Sequence, residues 1–151
     1  MKILITGELH GGKSTALKIA LSQISKESMA GFFTTPVIEN EEKTGHQITL
    51  TCGDSFVFAH KNIENISSYG QFGVDLSVFN SAADKLKTDI QNKKWLVIDE
   101  LGIMESVDSD FPGKIESIIR GHKNSLVVVQ KRAFEFWLKV FSINTFDIIY
   151  M

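Results

Sequence analysis

Eight consecutive residues near the start of the chain have the types and spacing of a phosphate-binding loop. They match the pattern G-x-x-x-x-G-K-[ST] without a gap, and in order they are Gly7, Glu8, Leu9, His10, Gly11, Gly12, Lys13 and Ser14. Glycines let a backbone pass close to phosphate oxygens, and the amino end of a following helix offers unpaired N–H groups to negative charge. The pattern predicts that Lys13 reaches the β- and γ-phosphates of a nucleotide and that Ser14 binds Mg²⁺. Thr15 is expected to contact the α-phosphate.

The segments on either side of this loop distinguish it from a glycine-rich turn that binds nothing. A short apolar run, from Lys2 to Thr6, precedes the loop and predicts a buried strand. From Lys13 to Glu27 apolar residues recur at helical spacing, which predicts an amphipathic helix. A loop with this pattern binds phosphate when a strand precedes it and a helix follows it. Both conditions are met, so we interpret residues 7–14 as a P-loop.

Two acids follow a second apolar run further along the chain. The run extends from Trp95 to Ile98, and Asp99 and Glu100 come directly after it. Parallel strands end at the same edge of a sheet, so the two acids are expected to lie near the P-loop. Asp99 would then hold Mg²⁺ through water, and Glu100 would orient or deprotonate the water that attacks the γ-phosphate. The alternative is that the two acids only form a helix cap or a solvated turn.

A few other polar residues are weaker candidates for the same site. Gln130, Lys131 and Arg132 follow another buried run, so they either contact the γ-phosphate as a sensor or begin a solvated helix. Glu105 is expected to be a surface acid, with a place behind the metal-binding residues as the alternative. His10 is expected to face solvent within the loop.

The composition is that of a soluble globular protein and disfavours several classes of partner. The chain has 151 residues, of which 43% are hydrophobic and 23% are charged, and its formal net charge is -2. This charge disfavours binding to nucleic acid, which needs clustered positive charge. The apolar runs are too short to cross a membrane, and the single cysteine, Cys52, cannot form an internal disulfide. We expect a cytoplasmic protein with one nucleotide-binding domain over residues 1–151.

The remaining pattern predicts strands that alternate with helices. Strands are predicted at 31–37, 94–98, 125–129 and 146–150, and helices at 75–92, 110–120 and 133–140. The other predicted segments are a polar turn at 39–45, a β-hairpin formed by 47–51 and 55–60, and a loop at 63–73. Pro36 lacks an N–H group, so its end of the strand is expected to lie at a sheet edge or to leave the sheet. Together these elements predict an α/β fold, with helices on both faces of a mostly parallel sheet and an antiparallel hairpin insertion.

Four blocks of the sequence together resemble a family of small nucleoside-triphosphatases, which includes the human cancer-related NTPase and its bacterial and archaeal relatives. They occur in the family's order over roughly residues 1–130: the P-loop; Gly31-Phe32-Phe33-Thr34-Thr35, followed by Gly45 and the hairpin; Gly70-Gln71-Phe72-Gly73-Val74-Asp75-Leu76; and Val97-Ile98-Asp99-Glu100-Leu101-Gly102-Ile103-Met104-Glu105. The last block is similar to the family signature D-E-I-G-x-M-E, which is far more specific than a strand that ends in acids.

The resemblance implies a RecA-like P-loop fold and slow, magnesium-dependent hydrolysis of the β–γ bond of ATP or other NTPs, with weak base preference. It also implies a role for Glu105, because the signature has an acid at the matching position. Two other functions stay open on the residues alone. One is a kinase that transfers the γ-phosphate to a small acceptor, with Glu100 or Glu105 activating the acceptor hydroxyl. The other is a nucleotide-binding switch or adaptor with little turnover.

Overall fold

The computed structural model describes residues 1–64, 72–142 and 146–151, together with the backbone of residues 68 and 69. The strands are β1 (Lys2–Thr6), β2 (Met29–Glu39), β3 (Glu42–Leu50), β4 (Ser55–His60), β5 (Ser68–Tyr69), β6 (Phe72–Val74), β7 (Trp95–Leu101), β8 (Asn124–Val129) and β9 (Asp147–Tyr150). The α-helices are α1 (Lys13–Leu21), α2 (Ser77–Asp89), α3 (Ile103–Val107), α4 (Phe111–Arg120) and α5 (Phe134–Val140). Single 3₁₀ turns occur at Lys26–Ser28 and Lys131–Ala133.

The strands of the described residues form one sheet in the order β5-β6-β4-β3-β2-β7-β8-β1-β9. The five strands from β2 to β9 in this order are parallel, whereas the other four are antiparallel to their neighbours. β8 lies between β1 and β7, so a single strand separates the loop after β1 from the acids of β7. The predicted α/β fold, with antiparallel strands beside a mostly parallel sheet, is confirmed.

Helices cover both faces of the parallel part of the sheet, as predicted. On one face, Leu17 of α1 packs in a small buried cluster with Ile5, Val97, Leu126 and Val128. The other face carries α2, α4 and α5 and a larger buried cluster, whose largest members are Phe32, Phe58, Phe79, Phe111 and Trp137. Both faces are covered, which explains why β7 and β8 begin with nearly continuous apolar runs. Among the described helices, none is both long and apolar enough to cross a membrane.

β2 and β3 extend past the end of β7 and form an arm beyond the parallel sheet. β2 pairs with β7 only from Met29 to Phe33, but it pairs with β3 as far as Glu39. We call residues 34–46 the β2–β3 arm. The pairing of β2 with β7 ends just before the arm begins. One side of the arm therefore faces the edge of the sheet at which the parallel strands end.

The prediction of a polar turn at 39–45 is wrong, because most of these residues belong to the strands of the arm. The turn contains only Asn40 and Glu41, and both have positive φ, as in the tight turns that match the twist of paired strands. Polar residues suit strands that are exposed to solvent, so polarity alone misplaced the boundary. Pro36 lies in the part of β2 that has no strand on the β7 side, which confirms its predicted place at a sheet edge.

The structure also differs from the predicted boundaries of two other segments. α1 ends at Leu21 rather than at residue 27, and the Ser22 hydroxyl there donates back to the helix backbone, which competes with continued helix. β5 and β6 occupy part of the predicted loop at 63–73, and residues 65–67, 70 and 71 of that loop lie outside the described residues. The short helix α3 was not predicted, because five residues are too few to show a period.

Gly31 is a position at which a methyl group should destabilise the fold. It lies opposite Val97 in the pairing of β2 with β7, and an added Cβ would lie 1.7 Å from the Val97 carbonyl oxygen. Gly31→Ala is expected to lower the free energy of unfolding by about 3 kcal/mol or more, because the two central strands cannot separate without losing their pairing. Urea titration of the variant measures this change.

Gly113→Ala is the matched control for this prediction. Gly113 lies in α4, and an added Cβ there would have no neighbouring atom within 4 Å. Alanine is favoured over glycine in a helix by about 1 kcal/mol, so this variant is expected to be as stable as the wild type or more stable. Similar losses of stability in the two variants would contradict the account of Gly31.

Candidate functional site

The P-loop adopts a conformation that its glycines make possible. Gly7 and Gly12 have φ angles of 148° and 90°, in the region that residues with a side chain rarely adopt. The N–H of Gly11 donates to the Glu8 carbonyl at 3.0 Å, which closes the tip of the loop. α1 begins at Lys13, so the last two residues of the loop pattern form the start of the helix, and the N–H groups of its first turn are free for a ligand. His10 is exposed within the loop, as predicted.

The ammonium of Lys13 is held inside the loop by backbone carbonyls. Lys13 Nζ donates to the carbonyl of Gly7 at 3.0 Å and to that of Glu8 at 2.6 Å. The Lys13 side chain is largely buried, whereas Ser14 and Thr15 are exposed at the start of α1. The loop therefore carries one preplaced cation together with the free N–H groups of a helix.

Asp99 and Ser14, the second residue of α1, line the same cleft. Burial raises the pKa of Asp99 to about 6, and the charge of Glu100 adds to this effect. The Ser14 hydroxyl and the charge of Lys13 oppose it. A hydroxyl and a carboxylate on the wall of one cleft are two oxygen donors of the kind that bind magnesium.

A bulge in β7 places Glu100 beside Asp99 instead of on the opposite face of the sheet. The predicted strand ended at Ile98, but β7 continues through both acids to Leu101. Its pairing with β8 skips Glu100, because Asp99 pairs with Val128 and Leu101 with Val129. Consecutive residues of a regular strand point to opposite faces, whereas a bulge turns the extra residue. Both acids consequently line the same cavity.

Gln130 holds Glu100 in place from the end of β8. Gln130 Nε2 donates to Glu100 Oε1 at 2.7 Å, and Arg132 Nε donates to Gln130 Oε1 at 3.3 Å. The predicted reading of Gln130 to Arg132 as a solvated helix start is therefore incomplete, because Gln130 reaches the acids. Glu100 is not an isolated cap on a turn, since its carboxylate is fixed by a neighbouring strand.

Lys131 bridges the segment after β8 to the tip of the P-loop. Its ammonium forms an ion pair with the carboxylate of Glu8, and both side chains are exposed. This hydrogen bond and the charge of Lys131 lower the pKa of Glu8, so the loop tip carries an ionised carboxylate. Glu8, Lys13, Glu100 and Lys131 line a pocket of about 620 Å³ together with Gln130 and Arg132. The structure thus brings all three residues from 130 to 132 to the rim of the site.

Glu105 is buried, so the prediction of a surface acid is wrong. Only 4% of its surface is exposed, and its Oε2 accepts a hydrogen bond of 2.9 Å from the N–H of Gly102. Trp137 Nε1 donates to the Gly102 carbonyl at 3.1 Å, and an added Cβ on Gly102 would lie 2.4 Å from Gln130 Oε1. Glu105 is therefore a buried support for Gly102 and, through Gln130, for Glu100.

A larger cleft opens between the P-loop and the β2–β3 arm. Its volume is about 640 Å³, and it is lined by the P-loop from Leu9 onward, by both acids and by six arm residues: Thr34, Thr35, Pro36, Ile38, Lys43 and His46. The sequence analysis did not select these six as site residues. Thr34 and Thr35 belong to one of the four blocks that resemble the family, and this resemblance could have selected them as site residues. Only the pairing of β2 with β3 shows that they form the arm wall of the cleft.

Glu105 should make stability depend on pH. Burial raises its pKa from 4.5 to about 7, an effect that the N–H of Gly102 partly opposes. Between these values the unfolded chain releases the proton of residue 105 while the folded protein retains it, so rising pH favours unfolding. The contribution is fully present below about pH 4.5 and is lost as pH rises towards about 7.

Glu105→Gln, which retains an acceptor oxygen but cannot ionise, tests this expectation. Between about pH 4.5 and 7, wild type should lose about 2–3 kcal/mol of unfolding free energy relative to the variant. Urea titrations of both proteins across this range measure the difference. Parallel pH profiles would show that Glu105 is ionised in the folded protein.

Comparison with known proteins shows the family to which the chain belongs. A family model described as NTPase matches residues 2–149, which extends the resemblance well past residue 130. The nucleoside-triphosphatase THEP1 of Thermotoga maritima is 28% identical over 141 residues, covering 93% of this chain and 80% of that protein. THEP1 of Aquifex aeolicus is 31% identical over 127 residues, covering 79% of this chain and 71% of that protein.

Solved structures show the same fold. The crystal structure of THEP1 from Aquifex aeolicus has a TM-score of 0.68 at 25% identity and covers 99% of this chain and 89% of its own. The solution structure of a human cancer-related nucleoside triphosphatase has a TM-score of 0.76 at 18% identity, with 99% and 88% covered, and supports the fold alone. The RecA-like P-loop fold and the family that the four blocks indicated are both confirmed. This chain belongs to the NTPase family and is a nucleoside-triphosphatase.

Proposed function

We propose that the protein hydrolyses the β–γ phosphate bond of ATP and other NTPs in a magnesium-dependent reaction. The observation that carries the proposal is that Ser14, Asp99 and Glu100 line one cleft together with Lys13, whose ammonium is held inside the P-loop. Phosphoryl transfer requires a cation at the transferred group, oxygen ligands for a metal and a residue that positions the nucleophile. Lys13 supplies the cation, Ser14 and Asp99 supply the oxygen ligands, and Glu100 positions the nucleophile.

The donor set at this point fits magnesium. Mg²⁺ prefers oxygen ligands and is usually held by one or two carboxylates together with water and substrate phosphates. Ser14 and Asp99 provide a hydroxyl and a carboxylate on the wall of the same cleft. When bound there, the metal neutralises charge that develops on the β- and γ-phosphate oxygens. Asp99 and Ser14 would hold it.

Lys13 and Glu100 have the two remaining roles in the proposed reaction. Lys13 exchanges its bonds to the carbonyls of Gly7 and Glu8 for the β- and γ-phosphate oxygens. Glu100 accepts a proton from the attacking water, and Gln130 fixes the carboxylate in the orientation that this step needs. Lys131 is an additional cation at the rim of the P-loop.

We also propose that the base of the nucleotide is recognised weakly. The residues on which the proposed nucleotide binding rests all act on the triphosphate or its metal. The sequence has no N-K-x-D element, the motif that recognises guanine. Contacts to phosphates are the same for every base, so ATP, GTP, CTP and UTP should have kcat/KM values within about tenfold of one another.

Binding of a nucleotide should raise the melting temperature only with magnesium and an intact P-loop. At a ligand concentration of 100 times Kd the stabilisation is about 2.7 kcal/mol, which corresponds to about 5 °C or more for a domain of this size. Lys13→Ala should remove most of the shift, because the phosphates lose the cation of the loop. Thermal denaturation with each of the four NTPs and MgCl₂ measures it.

Lys123→Ala is the matched control, because Lys123 is exposed just before β8, at the opposite end of the parallel strands from the P-loop. This variant should retain the full shift. Equal shifts in wild type and Lys13→Ala, or no shift with any NTP in wild type, would refute binding at the P-loop.

The two acids of β7 should respond differently to loss of charge. Asp99→Asn removes a carboxylate next to Ser14, so nucleotide binding should weaken and depend more steeply on magnesium concentration. Glu100→Gln should leave binding intact and lower kcat by about 10²- to 10⁴-fold, since proton acceptance matters only in the transition state. The readouts are the dissociation constant at several magnesium concentrations and the rate of phosphate release.

A direct sign of the second effect is ATP that stays bound to the Glu100→Gln variant after rapid desalting. Hydrolysis at the wild-type rate by this variant would remove Glu100 from the mechanism. Equal losses of affinity in the two variants would instead make both acids metal ligands.

A further inference from the structure

The arm side of the larger cleft is not used by the proposed hydrolysis. Lys13, Ser14 and the two acids, which serve the phosphates and the metal, line one part of it, and the β2–β3 arm lines the opposite part. The triphosphate, the metal and the attacking water would occupy the part that the P-loop and the acids line. The arm residues Thr34, Thr35, Pro36, Ile38, Lys43 and His46 line the rest of the cleft.

Two polar groups in the arm wall lack partners within the described residues. Lys43 is exposed at the cleft and its ammonium forms neither a hydrogen bond nor an ion pair with any described residue. The Thr34 hydroxyl is buried and has no hydrogen-bond partner in the same part of the chain. Buried polar groups are normally paired, so an unpaired hydroxyl next to a cleft indicates a position where a ligand completes the bonding.

His46 presents a fixed imidazole to the same wall. Its ring stacks on Phe58 with centroids 6.1 Å apart and meets the edge of Phe72 at 5.4 Å. Burial, aided by the charge of Lys43, lowers its pKa, so the ring is neutral at neutral pH and has one donor and one acceptor nitrogen. The arm wall thus combines a free cation, a neutral imidazole and an unpaired hydroxyl.

The arm lies on the side from which a nucleophile must enter. The P-loop binds the β-phosphate, which leaves, and in-line displacement brings the nucleophile to the γ-phosphate from the opposite side. Glu100, the group proposed to accept the proton of the nucleophile, lines the cleft together with the arm. An alcohol bound against the arm would therefore have its oxygen near both the γ-phosphate and Glu100.

We propose that the arm side of the cleft is a second-substrate subsite that takes a small alcohol carrying one phosphate or carboxylate group. Lys43 binds the anionic group, and His46 and Thr34 bind hydroxyls. The inference rests on the proposed function, because it uses the same phosphate donor and the same base. A single cation suits one anionic group on a small molecule.

In the reaction at this subsite, the acceptor alcohol replaces water. The alcohol oxygen forms a bond to the γ-phosphorus, and the bond from the γ-phosphorus to the bridging oxygen of the β-phosphate breaks. The hydroxyl proton passes to Glu100, and the electron pair of the broken bond leaves with the nucleoside diphosphate. The products are the phosphorylated alcohol and the diphosphate, with no oxidant or reductant involved.

Binding at the subsite is tested while the P-loop is filled. The full chain is saturated with ADP, MgCl₂ and beryllium fluoride, and glycerol 3-phosphate is then titrated in a calorimeter. We expect one binding event, with Kd raised about tenfold or more by Lys43→Glu, because a charge-assisted contact becomes a repulsion. Thr34→Val, which removes only the hydroxyl, should weaken binding by a smaller factor.

Lys123→Glu is the control for net charge, since it makes the same change at an exposed position outside the cleft. It should bind glycerol 3-phosphate as wild type does. No binding by wild type, or equal binding by wild type and Lys43→Glu, would overturn the subsite. Equal weakening by Lys43→Glu and Lys123→Glu would also overturn it, because the effect would then be one of overall charge.

Transfer is tested with γ-labelled ATP and glycerol 3-phosphate, by following the label. Label in a glycerol bisphosphate, reduced by Lys43→Glu while phosphate release without acceptor is unchanged, is the expected result. Label only in inorganic phosphate would overturn the acceptor role. Phosphate release without acceptor reports on the proposed hydrolysis by itself, so its absence alongside normal glycerol 3-phosphate binding would mark failure of the proposed function and not of the subsite.

Discussion

The bonds around Gly102 set the position of Glu100 and connect the elements on one side of the sheet. Gly102 donates its N–H to Glu105, accepts from the indole of Trp137 and packs its Cα against the amide of Gln130. One residue therefore joins the end of β7 to α3, to α5 and to the segment after β8. Because Gln130 in turn holds Glu100, the Glu100 carboxylate is oriented by packed neighbours and not by solvent.

The bonds around Gly102 require that the carboxyl group of Glu105 can be buried at low cost in free energy. An ionised carboxylate is costly to bury. Two features reduce this cost for Glu105: its pKa of about 7 keeps part of the population protonated near neutral pH, and its carboxyl group accepts the N–H of Gly102. An apolar residue at 105 would leave that N–H unpaired, which costs about 1–3 kcal/mol. This explains why the family signature has a glycine and, three residues later, a glutamate. The glycine lets Gln130 approach closely, and the glutamate accepts the backbone N–H of the glycine.

The sequence was sufficient for those features whose causes are local. The P-loop pattern, the strand before it and the apolar runs of β7 and β8 depend on neighbouring residues, and the structure agrees with them. The bond between Gln130 and Glu100 joins residues 30 positions apart, and the bulge that turns Glu100 arises from pairing with β8. Burial of Glu105 depends on α3, which is too short to leave a periodic pattern. The arm was misread as a turn because exposed strands carry the same polar residues as loops.

The cations at the P-loop and at the β2–β3 arm differ in what an anion must displace. Lys13 is bonded to two loop carbonyls and Lys131 to Glu8, so a triphosphate at the loop exchanges existing bonds for new ones. Its net affinity is the difference between the two sets. Lys43 has no such partner among the described residues, so an anion at the arm adds a contact without removing one. A weakly held small anion can therefore occupy the arm side even though one cation gives little binding energy, because none of the described residues competes for that cation.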